Sequence, residues 1–401
     1  MRVLPLVSII LPTYNRADTI QRAIASVQAQ TYADWELIVV DDGSTDETVA
    51  LIEGCDPRLK LIRQQNQGTA GARNTALRAS TGAYIAFLDS DDEWLPHHLE
   101  LCVGFLEAFP EEGFVTNELW EDFGQGRIVK HYRVEISDWY PTTARHIDSR
   151  LFDLPVGEQD DHLRVYRSRQ PIGDWGRAIV ARTPYDNVFH YRGQIFEHMR
   201  FGFLMCLQPT VIRREAFEAV GYFDTSYYGA SDFGFTVELC RRFPANYLSI
   251  PACIKHELTG DGGMPCEDHV ATGKTGLICL QDLLRFLEHF WGDRRDDPEV
   301  RVQRGMRELH IARVALGRNE RAIALRYLEA ARRDLPESTR VRNLDWLIRL
   351  LPGERLACQV YNAFTRAVDV GRRLLRNELS VAVLFRKLGD RLARRKLDPA
   401  T

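Results

Sequence analysis

Four short apolar runs, VSIILP (7–12), ELIVVD (36–41), RLKLIR (58–63) and AYIAFLD (83–89), alternate with three amphipathic stretches in the N-terminal part of the chain. Runs this short and this rich in Val, Ile and Leu read as strands buried on both faces. In the first gap Ile20, Ala23, Ile24 and Val27 fall at i, i+3, i+4 and i+7, one stripe of a helix. In the second, Ser44-Thr45-Asp46-Glu47 spells a capping box ahead of Val49, Leu51 and Ile52. The third gap predicts a helix over Ala70–Ala79 that stops at Gly82. Strands joined by helices of this length predict a βαβαβαβ order, a parallel sheet with right-handed crossovers, and ligand-binding loops at the strands' carboxyl ends.

Those ends carry Pro12-Thr13-Tyr14-Asn15, Asp41-Asp42-Gly43-Ser44, Asn66-Gln67-Gly68, and finally Asp89, Asp91, Asp92 and Glu93 ahead of Pro96. All four should line one crevice. Acids this close repel one another, and a cation is the simplest way to offset that repulsion. In an extended chain Asp89 and Asp91 would face one side, with Ser90 and Asp92 on the other.

Residues 113–205 are less regular and rich in aromatics, among them Trp120, Tyr132, Trp139, Tyr140, Tyr166, Trp175, Tyr185 and Tyr191. These rings suit either packing or the C–H faces of sugars. MCLQPTVI and GYFDTSYYGASDFGFTVELCRRF then return to a structured core. From about residue 270 the pattern is helical and Arg-rich, and ELHIARVALGRNERAIALRYLEAARRDLP has the helix, turn, helix, proline rhythm of one tetratricopeptide unit. Three segments are therefore expected: 1–112, 113–268 and 269–401.

Composition narrows the class. The 401 residues are globular in make-up, and their eight cysteines include no CxxC pair. With no apolar leader, these features favour a reducing compartment. No stretch approaches the ~20 apolar residues of a membrane span. The net charge of −4 conceals an asymmetry: residues 301–401 carry 23 Lys and Arg against 11 Asp and Glu, a balance of +12, which leaves −16 for the first 300. A basic helical end of this kind reads as a solvated face or as a contact with an anionic membrane surface.

Several chemistries compete for the acid cluster. A helix-loop-helix calcium site would need Gly where Trp94 stands, after a helix rather than a strand. A haloacid-dehalogenase-like phosphatase also places Asp-x-Asp after an apolar strand, but has Thr or Val where Glu93 stands. Gly273-Lys274-Thr275 lacks the first glycine of a P-loop, which falls at Asp268, and no GxGxxG follows the first strand. A nucleotide-sugar site, in which Asp-x-Asp holds Mg2+ or Mn2+ against a diphosphate, explains more of the chain.

The run VSIILPTYNRADTIQRAIASVQAQTYADWELIVVDDGSTDETVALI, continued by NQGTAGARNTALRASTGAYIAFLDSDDEWLP, resembles the donor half of family 2 glycosyltransferases of the GT-A fold. The likeness is dense over residues 6–110 and resumes over about 207–260. It implies an α/β, Rossmann-like, mostly parallel mixed sheet flanked by helices, with a C-terminal helical region. It implies inverting, non-processive transfer of a sugar from a nucleotide-sugar, of UDP type, to a saccharide or glycolipid acceptor in surface polysaccharide or glycolipid assembly. Nucleic acid is not an expected partner, and the expected location is cytoplasmic, at the inner face of the membrane. A catalytically silent sugar-nucleotide-binding scaffold is the alternative from another class.

Carried over by position, the resemblance places Pro12, Thr13 and Tyr14 beside the base and has Asp42 hydrogen-bond it. Arg73 would lie near the donor, Asp89 and Ser90 at the ribose or sugar, and Asp91 on the metal. His256 would be a second group reaching metal or diphosphate, and Asp232 the catalytic base, with Ser231 replacing the family's usual Glu before it. Each has a plainer reading. Tyr14 could be core, Asp42 a turn cap, Arg73 an ordinary ion pair, Asp232 an N-cap and His256 structural. A helix N-terminus at Asp232 would also keep its carboxylate ionised.

Overall fold

The computed structural model describes residues 5–122, 128–130, 165–200, 204–256 and 276–350. Contacts divide the chain into two compact units, Met1–Gln303 and Arg304–Thr401. In the first unit the strands are β1 (Val7–Thr13), β2 (Trp35–Asp41), β3 (Leu59–Arg63), β4 (Tyr84–Phe87), β5 (Glu93–Trp94), β6 (Phe114–Asp122), β7 (Ile128–Lys130), β8 (Ser168–Pro171), β9 (Phe189–Gly193), β10 (Thr210–Arg213) and β11 (Ala245–His256). The helices that concern the site are α1 (Ile20–Gln28), α2 (Thr48–Ile52), α3 (Gly68–Ala79), α4 (His98–Ala108), α5 (Ser231–Arg242) and α6 (Gly276–Trp291).

The strands form one mixed sheet in the order β3-β2-β1-β4-β10-β6-β11-β9-β8, parallel from β3 through β4. Strand β10 then runs antiparallel between β4 and β6. The four apolar runs are thus the four parallel strands. Strands β1, β2 and β4 read as continuous apolar runs because both their faces are covered, whereas β3 is the edge strand and keeps Lys60 and Arg63 exposed. Val7, Ile9 and Leu11 of β1 pack with Ile20, Ala23, Ile24 and Val27 of α1, whereas Ile10 packs with Ala70, Ala72, Ala76 and Leu77 of α3. Register aligns Thr13 with Asp41 and Asp41 with Arg63, so the carboxyl ends of β1, β2 and β3 finish level.

Two expectations change in detail. Ser44-Thr45-Asp46-Glu47 does not make a capping box, since the residue capping α2 is Glu47, without a side-chain cap bond. Ser44 Oγ accepts instead from Asn15 N–H at 2.9 Å, and Asp46 bridges, its Oδ1 accepting from Thr48 N–H at 3.1 Å and its Oδ2 from Ala17 N–H at 3.1 Å. The loop after β2 therefore braces the loop after β1. The alternation argument for the acids also fails, because β4 ends at Phe87 and Asp92 N–H closes a turn onto Asp89 O at 3.1 Å.

Helix α6, expected in the C-terminal helical segment, contributes Leu283, Phe286, Leu287 and Trp291 to the same core as α5. Gly234 is what lets it in, since a Cβ there would lie 2.2 Å from Phe286 Cε1. Of the aromatics noted in 113–205, Tyr166 stacks on Tyr247 at 5.7 Å and Trp175 meets Phe105 edge-on at 5.4 Å, so these rings pack the interior. Tyr132, Trp139 and Tyr140 lie outside the described residues.

In the second unit, which begins within the helix Pro298–Gly317, a turn at Arg318–Glu320 leads into the helix Arg321–Asp334 and then Thr339–Leu350. Asn319 takes the left-handed conformation at that turn (φ 66). The helix-turn-helix rhythm is thus present, stapled by Arg304 to Asp334 at 2.5 and 2.7 Å. Among the described residues no helix is long and apolar enough to cross a membrane. The basic segment 351–401 lies outside the described residues.

Candidate active site

The carboxyl ends of β1, β2 and β4, with the first turns of α3, enclose a cavity of about 310 Å3 lined by Pro12, Thr13, Tyr14, Arg16, Asp42, Thr69, Ala72, Arg73, Asp89, Ser90 and Asp91. Eight of these positions were expected from the sequence: Pro12, Thr13, Tyr14, Asp42, Arg73, Asp89, Ser90 and Asp91. A cavity of this size at such strand ends is where open α/β sheets collect ligands.

One wall is built by the turns after β1 and β2. Tyr14 is 47% exposed and so is not core. The Thr13 hydroxyl is buried without a hydrogen-bond partner, a spare polar group in the lining. Asp42 is buried, and its Oδ1 accepts from Gln64 Nε2 at 2.7 Å and from Gln67 N–H at 2.9 Å. These two bonds fix the carboxylate against β3 and the start of α3. Gly43 allows the chain to turn there, with φ +90, a region costly for any residue with a Cβ.

The opposite wall is an ion-pair lattice centred on Arg73, which is buried on α3. Its Nη2 donates to Asp89 Oδ1 at 2.7 Å, while Asp89 Oδ2 accepts from Gln208 Nε2 at 2.6 Å. Burial works against the Arg73 charge, but Asp89 and Asp232 outweigh it and hold the guanidinium firmly cationic. Asp91 sits 3.4 Å from Arg16 Nη2 and keeps 29% of its side chain exposed. Burial, then the charge of Asp89, raises the Asp91 carboxyl above its ordinary value, with Arg16 and Lys255 pulling it down.

Asp92 turns away. It is buried, its Oδ1 accepts from His256 N–H at 3.1 Å, and burial followed by Asp91 and Asp89 pushes it well up. Glu93 Oε1 meets His256 Nε2 at 2.9 Å, and Asp122 Oδ2 lies 3.3 Å from its Nδ1. His256 is therefore not among the cavity-lining residues, and both its ring nitrogens face carboxylates. The repulsion that prompted the cation reading is partly met by the protein itself, through Arg73, Arg16 and Lys255.

Asp232 lies in the first turn of α5. It is not the N-cap, which is Ala230; its Oδ1 accepts from Phe233 N–H at 2.8 Å. Asp232 is absent from the cavity lining but within Coulombic reach of both Arg73 and Asp89. Burial raises its carboxyl, Arg73 lowers it and Asp89 raises it again, for a net rise. The helix end, expected to keep this group ionised, works against a larger desolvation that raises it. Asn74, next to Arg73, clamps the segment before α5, bonding Phe223 O at 2.8 Å and Phe223 N–H at 2.9 Å.

Sequence reasoning missed Gln208, Gln64 and Arg16. Arg16 directly follows the Pro-Thr-Tyr-Asn motif, a usable signal; the two glutamines lie in segments with no chemical motif of their own.

The family model described as glycosyl transferase family 2 matches residues 8–169. Over 103 residues the chain is 50% identical to UDP-Glc:alpha-D-GlcNAc-diphosphoundecaprenol beta-1,3-glucosyltransferase WfgD of Escherichia coli, a match covering 25% of this chain and 41% of that protein. Over 163 residues it is 44% identical to chondroitin synthase of Pasteurella multocida, covering 35% of this chain and 17% of the relative. The matches thus span less than half the length of either. Among solved structures it is similar to the mannosyltransferase PcManGT of Pyrobaculum calidifontis, in complex with GDP-Man and Mn2+, with a TM-score of 0.47 and 20% identity over 90% of this chain and 85% of that one. Over residues 8–169 the chain is thus similar to glycosyltransferase family 2.

Proposed function

We propose that the chain transfers a sugar from a nucleoside-diphosphate sugar, of UDP type, to an acceptor hydroxyl with inversion, in the assembly of a polysaccharide or glycolipid. One observation carries the reading. A single cavity joins a polar wall (Thr13, Tyr14, Asp42) to a carboxylate and guanidinium wall (Arg73, Asp89, Asp91), with Asp232 in electrostatic reach of the latter. WfgD, whose name specifies UDP-Glc, is half identical over 103 residues and so supports the choice of nucleotide.

Each residue then has a role that its surroundings suit. The exposed Tyr14 ring would stack on the base, and Asp42, held by Gln64 and Gln67, would accept from it. Asp89 has both oxygens occupied, which suits a group that holds Arg73 and faces the sugar, and does not suit the covalent attack a phosphatase would require. Among the described residues no three His, Cys, Asp or Glu side chains gather into a ready cage. A cation shared with a diphosphate needs only one or two carboxylates, and Asp91, crowded by Asp89, fits that part. Mg2+ or Mn2+ at Asp91 would neutralise the departing diphosphate. We leave His256 out of this shell, because its ring nitrogens face Glu93 and Asp122.

Asp232 takes the acceptor hydroxyl's proton as that oxygen attacks C1 on the face opposite the diphosphate. A raised carboxyl is a stronger base than an ordinary one, and burial supplies the rise. Asp232→Asn should reduce transfer by roughly 10²- to 10⁴-fold while leaving UDP affinity unchanged. Turnover in that variant within a few-fold of wild type would remove Asp232 from the mechanism, and donor binding without turnover by the wild type with any acceptor would favour the scaffold reading.

A further inference from the structure

Two arginines face the aspartates of the cavity, and they are held differently. Arg73 is buried and grips Asp89 at 2.7 Å, the length of a strong charge-assisted bond. Arg16 reaches Asp91 only at 3.4 Å, with 31% of its side chain exposed. A pair that long and that exposed is weak.

The backbone beneath Arg16 is the opposite of loose. Asn15 is fixed in the left-handed region at φ 50, with Thr45 N–H donating to its Oδ1 at 2.8 Å. Arg16 N–H donates to Thr48 Oγ1 at 2.7 Å. Arg16 is thus a partly exposed charged arm on a rigid mount in the cavity lining, its guanidinium beside the carboxylate best suited to a divalent cation.

A divalent cation on Asp91 would repel a guanidinium held beside the same carboxylate. That repulsion favours movement of the arm away from Asp91, and a diphosphate entering with the cation would offer anionic oxygens to receive it. Guanidinium geometry matches phosphate through paired N–H groups.

We propose that Arg16 is an exchangeable counter-ion: it occupies Asp91 in the free protein, competes there with the divalent cation, and transfers to the donor's diphosphate when cation and nucleotide bind together. The inference rests on the nucleotide-sugar reading above. It makes cation binding without nucleotide unfavourable and couples the two ligands.

The test uses the full chain, with Mn2+ and UDP as probes. Binding of Mn2+ alone is followed by the electron paramagnetic resonance of the free ion, and binding of UDP at saturating Mn2+ by calorimetry. Arg16→Gln should bind Mn2+ alone several-fold more tightly and UDP with Mn2+ roughly tenfold more weakly, opposite signs that a folding defect would not produce. Arg16→Lys, which keeps the charge but loses the paired donors, should leave Mn2+ alone near wild type and still weaken UDP. Unchanged constants in Arg16→Gln, or weakening of both ligands together, would overturn the inference while leaving the nucleotide-sugar reading standing. Failure of the wild type itself to bind UDP with Mn2+ would instead overturn that reading.

Discussion

Asp232 illustrates how one side chain is tuned by what surrounds it. Burial and the charge of Asp89 disfavour the carboxylate, while Arg73 and the Phe233 N–H favour it, and the balance leaves the group above its ordinary value. A base must be deprotonated to act, so activity should fall as pH drops through this raised pKa. The acidic limb of the kcat/KM profile is therefore expected above the usual carboxylate range. Arg73→Gln removes the lowering influence and should move that limb still higher. A limb at ordinary aspartate values in both proteins would show that some other group controls it. Gln208 shows what a reading of residues in order misses: it grips Asp89 from 119 positions away, and such a pairing leaves no periodic trace.

At the scale of elements, the parallel layer depends on a polar staple as well as on apolar faces. Glu36 Oε1, on β2, accepts from Ser8 Oγ at 2.6 Å on β1 and from Thr81 N–H and Oγ1 at 2.7 and 2.9 Å ahead of β4. Burial raises this carboxyl, but the bonds from Ser8 and Thr81 outweigh it and the net shift is downward. A folded pKa below the unfolded one contributes stability that is present above the unfolded value and is lost as pH falls through the folded value. Glu36→Ala should cost about 1–3 kcal/mol in urea unfolding at neutral pH, with the gap from wild type narrowing in acid. A gap that does not change with pH would contradict this. The strands β1, β2 and β4 were legible because burial on both faces makes them almost uniformly apolar, the edge strand β3 by its Leu59, Leu61 and Ile62, and α1 because one face only is buried. The insertion of β10 between β4 and β6 was not legible, since antiparallel pairing across such separations is chosen by the completed sheet. The capping-box spelling misled for a related reason: Ser44 and Asp46 serve the neighbouring loop, a tertiary choice that local propensity does not encode.

For the molecule as a whole, the cavity lining lies entirely within Met1–Gln303, at one end of the parallel layer. The motifs that marked it converge because parallel strands deliver their carboxyl ends to one side. Eight of the ten expected site residues meet there; Asp232 approaches through Arg73, and His256 does not line the cavity. The central claim is that this cavity holds a nucleoside diphosphate through a divalent cation on Asp91. Thermal unfolding of the full chain with saturating UDP, with and without Mn2+, tests it most directly, because a ligand that binds only the folded state raises the melting temperature. The account predicts a rise of several degrees for wild type with UDP and Mn2+ together, and little or none for Asp91→Asn. An equal rise in the two proteins, or one that does not need the cation, would contradict it.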